Sequence, residues 1–244
     1  TSLRASSVGG VKAAAQINNL VPLFKIGSGE MTDIPSLKSI SKFKKPMILS
    51  TGMSCFEEID RTYKALLNED IELALLNCVS EYPPVYEDMN LGVIKIMSER
   101  YNNAVIGHSD HTPDLFTSFA AVSLGAKIIE KHVILDKKQN GPDQSVSIDF
   151  KDLAQLVEGI RKIEVGLGER KIVHKKEKQI REWAFRSLVS TKEIKKGSVI
   201  KKEDIWSKRP GTGIPSHLMD TVIGKVAIRD IPANKMLSRE DYSK

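Results

Sequence analysis

Residues 104–136 read AVIGHSDHTPDLFTSFAAVSLGAKIIEKHVILD, and their pattern decides the fold. Two short apolar runs each end in polar residues, GHSDH in the first and EKH in the second. The stretch between them is long enough for a helix. A short apolar run, a helical stretch and a second apolar run are typical of a strand–helix–strand unit with parallel strands.

The same unit repeats on the N-terminal side of this stretch. Three further apolar runs read PLFKIGSGE (22–30), PMILSTGM (46–53) and LALLNCVSEYP (73–83). The runs are nearly continuous in Val, Ile and Leu, as in strands that are buried on both faces. Segments 33–43 and 56–69 place apolar residues three and four apart, which predicts amphipathic helices. We expect a capping box of Ser54 and Glu57 at the second helix.

These repeats predict a parallel α/β fold with five strands. An eight-stranded (β/α)8 barrel needs about 250 residues, so the chain is either a smaller open sheet or a barrel without its first units. Residues 6–20 read as a loop and a helix.

A second domain is indicated after residue 168. Segments KEIKKGSVIKKEDI (192–205) and RDIPANKMLSREDY (229–242) form a weak repeat offset by 37 positions, which indicates a small β-rich domain with internal pseudo-symmetry. A Gly/Pro-rich loop that carries Arg209 lies between the copies. We therefore expect a barrel domain at 1–168, a linker at 169–185 and a small domain at 186–244.

Composition narrows the class of protein. Hydrophobic content of 41% and charged content of 28% are ordinary for a soluble globular protein, and the sequence shows neither a membrane-length apolar run nor a secretory signal. We interpret Cys55 and Cys78 as buried thiols in a reducing compartment, which predicts a cytoplasmic protein. The net charge of +6 falls on residues 186–244, with 13 Lys and Arg against 7 Asp and Glu. Without interleaved aromatic residues this favours a solvated surface over a nucleic-acid or membrane partner.

Polar side chains gather where the predicted strands end, which is where parallel α/β folds place their chemistry. His111 and His132 end neighbouring strands, close to Asp110, Glu130 and Asp143. Two imidazoles with oxygen ligands suit a divalent metal such as manganese or zinc. The alternative is that His111 caps a helix and His132 is a hydrogen-bonded core residue.

A second group of strand ends is typical of an anion site. Lys25, Ser28, Ser50 and Ser109 combine a cation and hydroxyls with nearby glycines, a setting for a phosphate or carboxylate. Three further residues in turn-rich loops suit either sugar hydroxyls or plain turn chemistry: Glu30, Tyr82 and Asp143. The residues thus indicate a metal-assisted enzyme acting on a small anionic substrate, without giving the reaction.

Seven motifs in order resemble the sialic acid synthase family, which includes N-acetylneuraminate, legionaminate and pseudaminate synthases. They are FKIGSGE, ILSTGM, SEYP, GHSDHT, IEKHVILD, GPD and KRPGTGI, and they run from about Leu20 to the end. Residues 186–242 resemble the antifreeze-like (SAF) domain of these enzymes. The resemblance implies a partial (β/α)8 TIM barrel, about strands 4–8, followed by a small β-rich SAF domain.

The resemblance also implies the reaction: condensation of phosphoenolpyruvate with an N-acyl hexosamine such as N-acetylmannosamine, to give a nine-carbon 2-keto acid and phosphate. A divalent metal, usually Mn²⁺, is implied as the cofactor. The implied roles are metal binding by His111 and His132, phosphoenolpyruvate binding by Lys25, Ser28, Ser50, Ser80 and Ser109, sugar binding by Glu30, Tyr82, Asp143 and Arg209, and an active-site acid at Glu130. Arg209 is implied to reach the site of a partner subunit in a homodimer.

One departure bears on activity. By its motifs the chain starts near the end of the family's third strand, so we expect a fragment of a longer product, or a chain whose missing part comes from elsewhere, that is inactive alone. Two other readings stay open. One is another metal-dependent carbon–carbon lyase or aldolase, and the other is a non-enzymatic relic whose basic tail binds an anionic partner.

Overall fold

Six parallel strands form the sheet of the N-terminal unit. The computed structural model describes residues 3–5 and 10–243. The strands are β1 (Leu3–Ala5), β2 (Phe24–Ile26), β3 (Met47–Ser50), β4 (Leu73–Cys78), β5 (Ala104–Asp110) and β6 (Ile129–Lys131). Each strand pairs with the next one in the chain, so the order in the sheet is the order in the sequence.

A helix follows each strand. The helices are α1 (Gly10–Ile17), α2 (Ile34–Ser41), α3 (Phe56–Leu66), α4 (Val93–Arg100), α5 (Phe116–Ser123) and α6 (Phe150–Gly166). Because the strand order never reverses, the sheet has the sequence of a barrel wall and lacks the switch point of a doubly wound fold. The prediction of a partial (β/α)8 barrel is confirmed.

The five predicted strands are β2 to β6, and β1 is an addition that the sequence pattern did not show. Residues 6–9 of the expected loop lie outside the described residues. The helix predicted at 56–69 begins one residue later than the Ser54 capping box requires, because the backbone N–H of Cys55 donates to Glu58 Oε2 at 2.9 Å. Cys55 is exposed, so only the interpretation of Cys78 as a buried thiol is correct.

Alternation along the strands separates two faces of the sheet. Alternate residues of β2 to β5, among them Phe24, Met47, Leu75 and Ile106, join the apolar core that packs against the helices. Their neighbours in sequence therefore point to the opposite, concave face.

The second compact unit begins at Glu169. Its elements are α7 (Lys175–Ala184), β7 (Ser187–Ser190), β8 (Ile205–Lys208) and the short α8 (Met219–Val222). Strands β7 and β8 are antiparallel. Helix α7 occupies most of the stretch that was expected to be a linker.

The predicted 37-residue repeat is visible as a structural repeat in this unit. Ile194 and its counterpart Ile231 pair with each other in an antiparallel bridge. Lys192 Nζ lies 2.8 Å from an Asp204 carboxylate oxygen, and the equivalent pair, Arg229 Nε and Asp241, lies at 2.6 Å.

The turns and caps of the repeat also match. Gly197 has φ of 87° and its counterpart Asn234 has φ of 58°, so both turns use a left-handed residue. The backbone N–H of Lys201 donates to Asp204 at 2.8 Å, and that of Ser238 donates to Asp241 at 2.6 Å. The two copies thus share backbone geometry as well as sequence.

Among the described residues, no helix is both long and apolar enough to cross a membrane.

Candidate active site

A cavity of about 290 Å³ lies on the concave face, where β2 to β6 end. Nine residues that the sequence singled out line it: Lys25, Ser28, Ser50, Ser80, Tyr82, Ser109, His111, Glu130 and His132. Four more lining residues were not predicted: Gly27, Gly29, Met53 and Cys78. The parallel strands therefore bring most of the candidate residues to one place.

Lys25 provides the cation of this cavity. Lys25 is 7% exposed, and its Nζ donates to Ser50 Oγ at 2.7 Å and to the Ile26 carbonyl at 3.1 Å. The same ammonium lies 3.1 Å from Glu130 Oε2, a buried oxygen without a hydrogen bond of good geometry. The pair sets a positive and a negative group side by side on the wall.

A glycine lets two hydroxyls approach the backbone after β3. A Cβ on Gly52 would lie 2.2 Å from Ser80 Oγ and 2.8 Å from Ser28 Oγ, so any side chain here would displace these hydroxyls. The backbone N–H of Gly52 donates to Ser28 Oγ at 3.1 Å. Three loops thus place small donors together beside Lys25, which is the arrangement that anion-binding concavities use.

The hydrogen bonds of His111 define its tautomer. Its Nδ1 lies 2.7 Å from the Val79 carbonyl, so Nδ1 carries a proton and donates it. Its Nε2 lies 3.1 Å from the hydroxyl of Tyr82, which donates to the Nε2 lone pair when the ring is neutral. An imidazole that donates Nδ1–H to a carbonyl and turns Nε2 into a cavity has the orientation of a metal-binding histidine.

Burial and hydrogen bonding shift the pKa values of His111 and of its neighbour Cys78 in opposite directions. Burial lowers the pKa of the His111 imidazole, but Cys78 and the Val79 carbonyl raise it by more, so its pKa lies above the ordinary value. Burial raises the pKa of the Cys78 thiol, but His111, with Sγ to Nδ1 at 3.9 Å, lowers it by more.

His132 lies beside His111. Their ring centroids are 5.3 Å apart, and the Tyr82 ring packs against both, at 4.2 Å from His111 and 5.9 Å from His132. Rings this close could each turn one nitrogen toward a shared ion. Asp143 Oδ2 lies 3.5 Å from His132 Nδ1, where a carboxylate can orient the ring.

The two imidazoles would supply two ligands to a divalent ion, and its other positions would be left to water or substrate. Within residues 3–5 and 10–243, no group of three or more His, Cys, Asp or Glu side chains is placed to hold a metal ion.

Asp110, which the sequence placed near the histidines, points to the other face of β5. It is fully buried on the helix side, where it accepts hydrogen bonds from Ser118 and Thr117 at 2.6 and 2.7 Å. Burial raises the pKa of this carboxyl, but Lys131 and the hydroxyl donors lower it by more, so its pKa lies below the ordinary value. Asp110 is not a cavity residue, because it alternates with Ser109 and His111 along the strand.

Three predicted sugar-binding residues do not line the cavity: Glu30, Arg209 and Asp143, the last of which contacts it only through His132. Glu30 follows Gly29 in a short 3₁₀ turn and is half-buried. Arg209 belongs to the second unit, where its Nε donates to the Ala184 carbonyl at 3.0 Å and its guanidinium lies 5.5 Å from the centre of the Trp183 ring. Its predicted role at a partner's site stays a prediction.

A larger cavity of about 830 Å³ lies in the second unit. Its polar wall is mostly basic, with Lys178, Arg181, Arg186 and His217 against Glu182. We favour the smaller cavity as the active site, because it is the one that joins a buried cation to a pair of imidazoles.

Comparison with known proteins follows the same division of the chain. The model of the NeuB family matches residues 4–172, and the model of the SAF domain matches residues 185–242. The N,N'-diacetyllegionaminic acid synthase of Campylobacter jejuni serotype O:2 is 36% identical over 219 residues, which is 88% of this chain and 65% of that protein. The pseudaminic acid synthase of Campylobacter jejuni serotype O:23/36 is also 36% identical, over 90% of this chain and 64% of that protein.

Among solved structures, the N-acetylneuraminic acid synthetase of Leptospira borgpetersenii, in complex with citrate, matches with a TM-score of 0.66 at 30% identity. That match covers 72% of this chain and 61% of the other. The chain spans just under two thirds of the length of the two synthases it matches in sequence.

Proposed function

The chain belongs to the NeuB family, whose members include sialic, legionaminic and pseudaminic acid synthases, and on this premise we propose that it condenses phosphoenolpyruvate with N-acetylmannosamine or a related N-acyl hexosamine. The products are a nine-carbon 2-keto acid and phosphate. The observation that carries the proposal is the single cavity in which the buried Lys25 ammonium, serine hydroxyls and two imidazoles meet.

Phosphoenolpyruvate is the substrate that the Lys25 side of the cavity suits. The ammonium and the hydroxyls of Ser50 and Ser109 offer donors to a carboxylate or a phosphate, and charge-assisted hydrogen bonds of this kind are stronger than neutral ones. Ser28 and Ser80 add two hydroxyls across Gly52. Glu130, the proposed active-site acid, lies 3.1 Å from Lys25 Nζ on the same wall of the cavity.

His111 and His132 would hold a divalent metal, which we propose to be Mn²⁺. When bound, the ion supplies Lewis-acid polarisation of the sugar aldehyde. The Val79 carbonyl holds His111 in the tautomer whose Nε2 carries a lone pair, and the ion would take the place of the Tyr82 hydroxyl at that nitrogen. Tyr82, Asp143 and Glu30 are the proposed contacts of the sugar hydroxyls.

The second unit has a proposed role in assembly. We place the chain in a homodimer in which Arg209 reaches the sugar in the partner's site. The exposure of Arg209 is compatible with such a contact.

The proposal is tested first by binding, which does not require turnover. Isothermal titration of the purified chain with phosphoenolpyruvate should give a dissociation constant that Lys25→Met raises by about 10- to 150-fold, the equivalent of about 1.5–3 kcal/mol for a charged hydrogen bond. Lys162→Met is the matched control, because Lys162 is an exposed lysine on α6 that pairs with Glu158. Equal affinity in the two variants would exclude Lys25 from the anion site.

Turnover is then measured as phosphate release with phosphoenolpyruvate, Mn²⁺ and the sugar. Release that requires N-acetylmannosamine and is lost in His132→Ala would support the synthase reaction, and the ratio of kcat/KM values for the precursors of legionaminic and pseudaminic acid would define the acyl sugar. The same assay is also run on the chain extended to the length of its relatives.

The other readings give different results. A carbon–carbon lyase or aldolase would cleave or form a product without releasing phosphate from phosphoenolpyruvate. An anion-binding module would show no turnover, and heparin retention with a steep loss on adding salt would follow from the basic cavity of the second unit.

A further inference from the structure

A buried ion pair lies directly behind the two histidines. Lys131 Nζ is 3.1 Å from Asp110 Oδ2, and the side chains are 3% and 0% exposed. The two residues are direct partners in the register of β5 and β6, and each is followed in the chain by a histidine, His111 or His132. The pair therefore fixes the last residues of both strands before the histidines leave the sheet.

The hydrogen bonds around the pair reach both sides of His111. Asp110 Oδ1 accepts from the backbone N–H and the hydroxyl of Thr112, each at 2.8 Å. Lys131 Nζ also donates to the Thr112 carbonyl. The backbone on either side of His111 is thus tied to a single charged cluster, which Ser118 and Thr117 connect to the first turn of α5.

Strand β6 needs such a fixing element. It has only three residues, and it is the last strand of the sheet in the described part of the chain. A slip of one residue would turn the whole strand over and carry His132 to the helix side. It would also bring Glu130 or His132 opposite the buried Asp110 carboxylate in place of Lys131, and an uncompensated buried charge is strongly unfavourable.

We propose that Asp110 and Lys131 form a positioning pair: they fix the register of β6 on β5 and thereby hold His111 and His132 side by side on the opposite face. The pair touches neither substrate nor metal and acts through the backbone. This inference rests on the proposed function and deepens it, because it explains how two imidazoles at the ends of neighbouring strands keep the geometry of a shared site.

The direct test observes the rings in the chain without metal. In a chain with isotope-labelled histidine, NMR should show a cross-relaxation peak between the rings of His111 and His132, whose centroids lie 5.3 Å apart. We expect this peak to disappear in Asp110→Asn and in Lys131→Met. It should persist in Asp60→Asn, which breaks the ion pair of Asp60 with Arg100, at 2.5 Å, between α3 and α4.

Metal binding is the second readout. Electron paramagnetic resonance of free Mn²⁺ should show affinity about 10- to 100-fold weaker in Asp110→Asn and Lys131→Met, as for other residues that orient metal ligands, and unchanged affinity in Asp60→Asn. Circular dichroism identifies the variants that are folded at the temperature used. A purely structural role would lower the unfolding temperature and leave the ring contact and the Mn²⁺ affinity of the folded protein intact, which would overturn the proposal.

Two further outcomes keep the inference separate from the proposed function. If the unmodified chain binds no Mn²⁺, the metal part of the proposed function fails, and the ring contact alone decides the positioning role. If both charge variants fail to fold, Ser118→Ala decides, because it removes one 2.6 Å donor from Asp110 without removing a charge. A weakened ring contact in Ser118→Ala supports the positioning pair, and an unchanged one overturns it.

Discussion

Replacing Gly52 by alanine tests whether the hydroxyls around it form an anion cradle. The new Cβ would lie 2.2 Å from Ser80 Oγ, which is 1.2 Å inside the 3.4 Å of ordinary contact, and 2.8 Å from Ser28 Oγ. Overpacking costs about 1–3 kcal/mol. We expect the lower end, about 1 kcal/mol, because the half-buried Ser80 side chain can rotate away.

That rotation removes a donor from the cavity. If Ser80 contacts the anion, the loss of one hydrogen bond to a charged group is worth about 1.5–3 kcal/mol, so Gly52→Ala should weaken phosphoenolpyruvate binding by about 10- to 150-fold. Calorimetric titration measures the affinity, and urea unfolding followed by far-ultraviolet circular dichroism measures the stability.

The chain offers a matched control in Gly29→Ala. Gly29 lines the same cavity, but a Cβ there meets nothing within 4 Å. The double variant Gly52→Ala/Ser80→Ala should recover part of the stability and none of the affinity, since it removes the shorter clash together with the Ser80 hydroxyl and leaves the contact with Ser28. Equal affinity in Gly52→Ala and Gly29→Ala would refute the cradle, as would a Ser80→Ala chain that binds the anion as tightly as the unmodified one.

Two predictions concern the second unit. Trp183 and Trp206 are the only tryptophans of the chain and both belong to this unit, so tryptophan fluorescence reports its unfolding selectively. Burial raises the pKa of the Asp241 carboxyl, but the Ser238 N–H, Lys235 and Arg229 lower it by more, so its pKa lies below the ordinary value of an aspartate. Its contribution to stability is therefore complete above about pH 4 and is lost as pH falls through the lower folded pKa; Asp241→Asn should flatten this acid dependence, and an unchanged curve would contradict the assignment. Asn234→Ala should lower the free energy of unfolding, measured in urea, by about 1–2 kcal/mol, because alanine disfavours a φ of 58°. Asn234→Gly should leave it nearly unchanged. Equal losses of stability in the two variants would disprove the backbone explanation.

The strands that contain an apolar run could be predicted from the sequence. Strand β4 is buried at all six positions and was readable for that reason. Strand β1 has three residues, LRA, and no apolar run, so only its pairing with β2 makes it a strand. Helix α7 was read as a connector because charged residues dominate it and none of its residues is buried.

The site was predictable to the level of strand ends but not of individual contacts. The rule that chemistry gathers at the carboxyl ends of parallel strands placed Lys25, His111 and His132 together. It could not show that Ser80 approaches the backbone of Gly52 too closely for a side chain, since this depends on the path of the loop after β4. The position of Asp110 on the helix side follows from the period of a strand, because adjacent residues face opposite sides and His111 faces the cavity.

The repeat in the second unit explains why Arg209 occurs once in a unit built from two similar copies. Two hairpins that pair through Ile194 and Ile231 and repeat the same ion pair form what is in effect a dimer fused into one chain. Two separate subunits would display every loop twice, whereas the fused pair displays the connector at 207–215 once. The repeat thus forms a self-complementary scaffold, and the loop between its copies, which occurs once, carries Arg209.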